Sequence, residues 1–248
     1  MKNDLTKYLM KENFTSTVLW TAIISAAVSL VFIILALCIG DTGDGEKLHN
    51  FVTLIVMFWS AFVCSIGVAI VGINTSIYMN RSRKTAAKAI IITIIASVLA
   101  CSAIALAAEG AISLVSNSTG FGYAFRPLLL SGDQAFGIKT VLVSYGFNVL
   151  LYYAVSVASV FLVSISMKFG KWAWIGWWVI YMLIMSTGKS IITSIGSFAK
   201  DIFGSTGAAV LAILIITAVV FTAADILLIR KTELKKNALM WNSNARRA

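Results

Sequence analysis

"FVTLIVMFWSAFVCSIGVAIVGINTSIYMNRSRKTAAKAIIITIIASVLACSAIALAA", residues 51–108, decides the fold. Two apolar runs, 51–79 and 86–108, flank a short connection that holds Arg81, Arg83, Lys84 and Lys88 and no acid. Each run exceeds the roughly 20 residues that a helix needs to cross the hydrocarbon layer. Neither alternates with a period of two, so both read as helices and not as barrel strands. Four more runs obey the same rule, at 17–40, 140–166, 172–189 and 207–229. The composition agrees: 59% of the 248 residues are hydrophobic and 12% charged, against about 25% charged in a soluble domain. Mean hydropathy is +0.92. The expectation is an all-α polytopic membrane protein with six transmembrane helices. The first run is too long for the apolar core of a signal peptide and lacks a small-residue cleavage site, so it reads as the first span.

The connections alternate in charge, and this orients the chain. The N-terminal segment (Lys2, Lys7, Lys11), the 80–88 connection, the Lys168–Lys171 turn and the tail from Arg230 hold fifteen of the twenty basic residues. Basic residues collect on the cytoplasmic side. Both termini are therefore expected inside, and the acid-rich "GDTGDGEKLHN" (40–50) outside. The net charge of +10 reads as a topology signal divided among membrane-edge loops and gives no reason to expect a nucleic-acid partner. Trp172, Trp174, Trp177 and Trp178 in "KWAWIGWW" sit where indoles anchor a helix end at the headgroups.

One membrane domain, 17–230, is expected between a short N-terminal interfacial helix (1–16) and a basic cytoplasmic tail (231–248). Asn3 or Asp4 would cap the N-terminal helix, with Leu5, Tyr8 and Leu9 on one face. Span two, extended to Asn80, is about 45 Å long at 1.5 Å per residue, so it should tilt or project. The outer connection near 110–139 contains the single proline, Pro127, and a glycosylation pattern at Asn117. A polar, Gly-broken stretch at 190–205 would dip into the outer leaflet as a re-entrant element before the last helix.

Catalytic groups are scarce. The one histidine, His49, lies in a loop, and no HExxH, GxSxG or GxxxxGK[ST] pattern occurs. Hydrolytic chemistry and a P-loop are thus unsupported, and no metal site is expected. Cys38, Cys64 and Cys101 lack metal-ligand spacing and read as small apolar packers. A charge at the bilayer centre costs at least ~2.5–3.5 kcal/mol, and no ionisable group falls at mid-depth. Glu109, Lys189 and Asp225 lie near span ends, where each reaches the interface. Lys189 reads as snorkelling, whereas Glu109 and Asp225 either face protein or pair locally.

Polar stripes mark candidate seams. Tyr145, Asn148, Tyr152, Ser156 and Ser159 fall within about 60° on span four, and such a stripe either bonds another helix or lines a wet pathway. Ala96, Ala100, Ala103 and Ala107 on span three, and Thr21, Ser25 and Ser29 on span one, suit close helix packing. On span two, Phe58 and Trp59, with Ser60, Asn74 and Ser76, would meet an amphipathic cargo or form an ordinary seam.

Six spans, both ends inside, a basic connection after an over-long second helix, and the ending "ADILLIRKTELKKN" (224–237) together resemble the ABC-2 type permease subunits of bacterial ABC exporters. Members of that group serve lantibiotic immunity and the export of phenol-soluble modulins. The resemblance implies a permease in the bacterial plasma membrane that moves a hydrophobic or amphipathic compound outward. It implies a separate cytoplasmic ATPase subunit, which carries ATP and Mg, so this chain needs no cofactor. A second permease copy or paralogue would complete the unit. It implies coupling through Tyr78, Asn80, Arg81, Arg83, Lys84 and Lys88, with a smaller contact at Lys168 and Lys171. Phe58, Trp59, Tyr145, Asn148, Tyr152 and Ser156 would line the substrate pathway. The long connection between spans three and four departs from many members of that group. The residues alone leave other readings open: a membrane scaffold or sensor, or a carrier or channel that works without a partner.

Overall fold

The computed structural model describes residues 4–39, 55–79, 82–119, 138–170, 172–173, 175–179, 182 and 206–231. Six α-helices order these residues. They are α1 (Asp4–Leu9), α2 (Thr15–Ile39), α3 (Cys64–Tyr78), α4 (Arg83–Thr119), α5 (Ile138–Phe169) and α6 (Thr206–Lys231). Two π-helical segments interrupt the α geometry, Met10–Phe14 between α1 and α2, and Phe58–Val63 before α3. Residues 172–182 are helical where described.

Among the described residues, five helical stretches are long and apolar enough to cross a membrane: Leu5–Val31, Ile55–Tyr78, Arg83–Ile112, Val141–Phe169 and Val210–Arg230. They match the first, second, third, fourth and last of the six expected spans. The expected run 172–189 falls only partly within the described residues. The re-entrant stretch 190–205, the outer connection from 120 to 137 and the tail beyond Lys231 lie outside them. The chain is a multi-pass, all-helical membrane protein.

Burial explains why. Along α2 the buried residues are Thr17, Thr21, Ser25 and Ser29, while Leu19, Trp20, Ile23, Leu30, Val31 and Ile34 are exposed. Water would invert that pattern. In lipid the tails solvate leucine as well as a protein core does, so helices meet through small and hydroxylated residues that allow close approach. The seam between α2 and α4 carries one sulfur contact, Cys101 Sγ donating to Thr21 Oγ1 at 3.5 Å.

Two expectations change. The α4 helix continues to Thr119, so residues 110–119, expected at the start of the outer connection, are helical. The small-residue stripe on α4 is also displaced: Ala103 and Ala107 are exposed, whereas Ser97, Cys101, Ala105 and Glu109 are buried. Both rows consist mostly of small residues, and α4 meets its neighbours on the second.

The N-terminal helix was expected on the membrane surface. Residues 4–39 form one unbroken helical run, and Leu5 and Leu9 are buried in the main core with Ala69, Ala86, Ala89 and Ile90. Gly72 of α3 is what admits this packing. A Cβ placed there would lie 2.5 Å from Ile90 Cγ1 and 3.4 Å from Leu9 Cδ1. Three elements therefore meet at a position where only a glycine fits.

The described residues on either side of the α3–α4 connection close both helices. Met79 N–H donates to Thr75 O at 2.9 Å, which closes α3. Ser82 then caps α4. Its carbonyl accepts from Thr85 N–H at 2.9 Å and Ala86 N–H at 3.1 Å, and its Oγ accepts from Thr85 N–H at 3.3 Å. That side-chain bond gives the Thr85 amide a second acceptor beside the Ser82 carbonyl. The α5 helix ends at Gly170, whose φ of +64° is the left-handed conformation that favours glycine. The α5 and α6 helices are joined by Tyr153 Oη and Thr222 Oγ1, 2.9 Å apart, and by an edge-to-face contact of Phe161 with Phe221 at 4.9 Å.

Candidate functional site

The helix ends come together first. Ile73, Ser76, Ile77, Arg83, Ala86, Ser164, Met167 and Ile229 line one cleft, with room for little more than a water molecule (about 20 Å³). The end of α3, the start of α4, and the ends of α5 and α6 therefore share one end of the bundle. The basic residues next to these positions go with them: Arg83, Lys84 and Lys88 on α4, Lys168 on α5 and Arg230 on α6.

Of the residues assigned to coupling, Tyr78 is 69% exposed. Lys84, Lys88 and Lys168 are exposed and Arg83 is half-buried. Lys168 Nζ lies 5.3 Å from the centre of the Phe169 ring, within the reach of a cation–π contact. Asn80, Arg81 and Lys171 lie outside the described residues. Arg83 and Lys84 occupy the first turn of α4, where the helix dipole disfavours cations by about 0.3–1 kcal/mol each. Local helix energetics therefore do not explain their position. Membrane orientation or a partner does.

The span-four stripe faces inward. Asn148, Tyr152, Ser156 and Ser159 are buried and Tyr145 is half-buried. Tyr145 Oη donates to Leu99 O on α4 at 3.2 Å, and Ser159 Oγ donates back to Val155 O at 2.7 Å. Tyr145 thus ties α5 to α4, whereas Ser159 is satisfied within its own helix. Ser156 Oγ is buried with no hydrogen-bond partner among the described residues. The Phe58–Val63 segment packs beside α5, so the two halves of the expected pathway are neighbours. Phe58 itself is exposed and stacks on Phe62 at 5.3 Å, whereas Trp59 Nε1 is buried without a partner among the described residues. The sequence carries no signal for this π segment, which widens the helix by one residue and re-aims the side chains of α3 beyond it.

The sequence placed Glu109 and Asp225 near span ends, with protein-facing or local pairing both open. Both are buried, at 5% and 1% exposure. Tyr152 lies within electrostatic range of Glu109 and Cys101, so a polar group forms where α4 meets α5. Asp225 stands apart. It shares the buried face of α6 with Ala218 and Ile229, and its Oδ1 has no hydrogen-bond partner among the described residues. The spacing of 218, 225 and 229 was the available signal. An apolar helix has no polar face to show which stripe turns inward, so the signal could not be read.

Cys38, Cys64 and Cys101 are free thiols. No group of three or more His, Cys, Asp or Glu able to hold a metal ion occurs among the described residues. Compared with known protein families, characterised proteins and solved structures, the chain matches none.

Proposed function

We propose that this chain is the membrane permease subunit of an ATP-driven exporter, with hydrolysis carried by a separate ATPase docked on the basic end of the bundle. The observation that carries the reading is the convergence of Tyr78, Arg83, Lys84, Lys88 and Lys168 on adjoining helix ends. The α3 and α4 helices pack against each other there, with Gly72 seated on Ile90, so a push on this end is passed to both spans. On this reading that end lies in the cytoplasm, in keeping with the positive-inside rule. The cargo is a hydrophobic or amphipathic compound, because the seams offer hydroxyls and aromatic rings more than charges. Two permeases and two ATPases make the working unit.

The test is ATP hydrolysis by the full chain purified from its native membrane in mild detergent. The reading expects an ATPase activity that stays with the chain and is lost when Arg83, Lys84 and Lys88 are all changed to Gln. A chain that purifies with no ATP-hydrolysing subunit would sink it.

A further inference from the structure

We propose that Asp225 is a reversible proton-binding site, reached from the basic end of the bundle through the cleft lined by Ser76, Arg83, Ser164 and Ile229. The inference stands apart from the ATPase reading, since it concerns a group inside the span and needs no docked subunit.

Burial with no partner comes first. Asp225 is 1% exposed, and its Oδ1 meets no donor among the described residues. A carboxylate kept in the interior as an anion needs a cation or several donors around it. An acid kept only for packing has cheaper substitutes in alanine or serine, and α6 uses alanine freely elsewhere. A carboxyl group that is neutral when buried and charged when wetted satisfies the geometry. An ionisable side chain within a membrane span is where proton relays are found.

The route comes second. Ile229 lies one turn from Asp225 on the same buried face, about 6 Å along the axis. Ile229 also lines the cleft, together with Ser164, whose Oγ is buried and has no partner among the described residues. The cleft holds about a water molecule. A water there has Ser76, Ser164 and Arg83 as polar neighbours, and Asp225 lies one turn deeper.

The charges around α6 fit a proton and not a fixed ion pair. α6 packs against α4 and α5. On α4, Lys84 and Lys88 are exposed, Arg83 is half-buried at the cleft, and Glu109 lies about 39 Å further along the helix. Cys101 donates to Thr21. On α5, Lys139 and Lys168 are exposed, Tyr145 is bonded to Leu99, Tyr153 to Thr222, and Tyr152 lies with Glu109. On α6 itself Arg230 is exposed. Arg83 lines the cleft on the proposed route, and none of these cations is paired with Asp225. The step is simple: the carboxylate takes a proton from cleft water to become the acid, and returns it to water when α6 moves or the pH rises.

The probe is dicyclohexylcarbodiimide, a lipid-soluble reagent that reacts with protonated carboxyl groups and leaves a stable adduct readable by peptide mass spectrometry. The full chain in lipid nanodiscs is treated across a pH series, with Asp225→Asn as the blank. The expected result is an adduct on Asp225 at neutral pH that falls about tenfold per pH unit once the group ionises. Ser164→Leu, which fills the cleft, should slow the response of labelling to a pH jump. No adduct on Asp225 at any pH, or an adduct indifferent to pH, overturns the site. An unchanged jump response in Ser164→Leu overturns the route. The main reading is on the wild-type chain, so a variant that fails to fold does not blur it.

Discussion

Gly72→Ala is the sharpest perturbation of this fold. The added Cβ would sit 2.5 Å from Ile90 Cγ1, 3.0 Å from Ile90 Cδ1 and 3.4 Å from Leu9 Cδ1. Carbon atoms rest at about 3.5–4.0 Å, so the first contact must open by about 1 Å. Ile90 is fully buried, and a β-branched side chain in a helix has essentially one rotamer. The side chain therefore cannot swing away, and α3, α4 and the N-terminal helix must part. Overpacking of this kind costs about 1–3 kcal/mol, which lowers the melting temperature by about 2–4 °C per kcal/mol in a chain of this size. Cys101 supplies the assay in a Cys38→Ser, Cys64→Ser background, where it is the remaining thiol and, being buried, reacts with a fluorogenic maleimide only when the bundle opens. Gly67→Ala is the control. Its Cβ would meet nothing within 4 Å, and alanine favours a helix by up to about 1 kcal/mol over glycine. Combining Gly72→Ala with Ile90→Ala should recover about 1 kcal/mol or more relative to the sum of the single changes. If Gly72→Ala melts with Gly67→Ala, or the double variant is merely additive, the three-element contact is not as described.

The turn and the α5–α6 seam give smaller effects. Ser82→Ala removes the side-chain cap on Thr85 N–H but leaves its bond to the carbonyl at residue 82, so the cost should fall at the low end for a cap, about 0.5 kcal/mol, read by the same thiol melt, with Ser82→Asp retaining most of it. Tyr153→Phe breaks the bond to Thr222 and should cost about 0.6 kcal/mol, a usual value for interhelical bonds in membranes. Thr222 Oγ1 also donates back to Ala218 O at 2.6 Å, so Tyr153→Phe should leave it satisfied and the cost near that low value. A double-mutant cycle with Thr222→Val measures the coupling directly.

The class of protein was legible at once, because runs of 20 or more apolar residues have few other uses. The basic connection and the ends of α3 and α4 were equally plain, since Ser82, Arg83 and Lys84 interrupt the apolar pattern sharply. The inward face of each helix was not legible. In water a polar stripe points out, and periodicity finds it. Here Ser97–Cys101–Ala105–Glu109 and Ala96–Ala100–Ala103–Ala107 are both rows of mostly small residues on an apolar helix, and only the neighbours decide between them. Asp225 was judged by its distance from a span end, which measures depth and not burial. The burial of Leu9 was not legible because Gly72, the residue it packs on, lies more than sixty residues away in sequence.

The central functional claim is that energy enters this bundle from outside it, at the basic end. The direct measurement is export of a fluorescent amphipathic peptide by vesicles that hold the full chain with the ATPase purified alongside it, with and without ATP. The account predicts export only when ATP is present, and its loss when Arg83, Lys84 and Lys88 are changed to Gln while the thiol melt is unchanged. ATP-independent export driven by a pH gradient in vesicles holding this chain alone would contradict it.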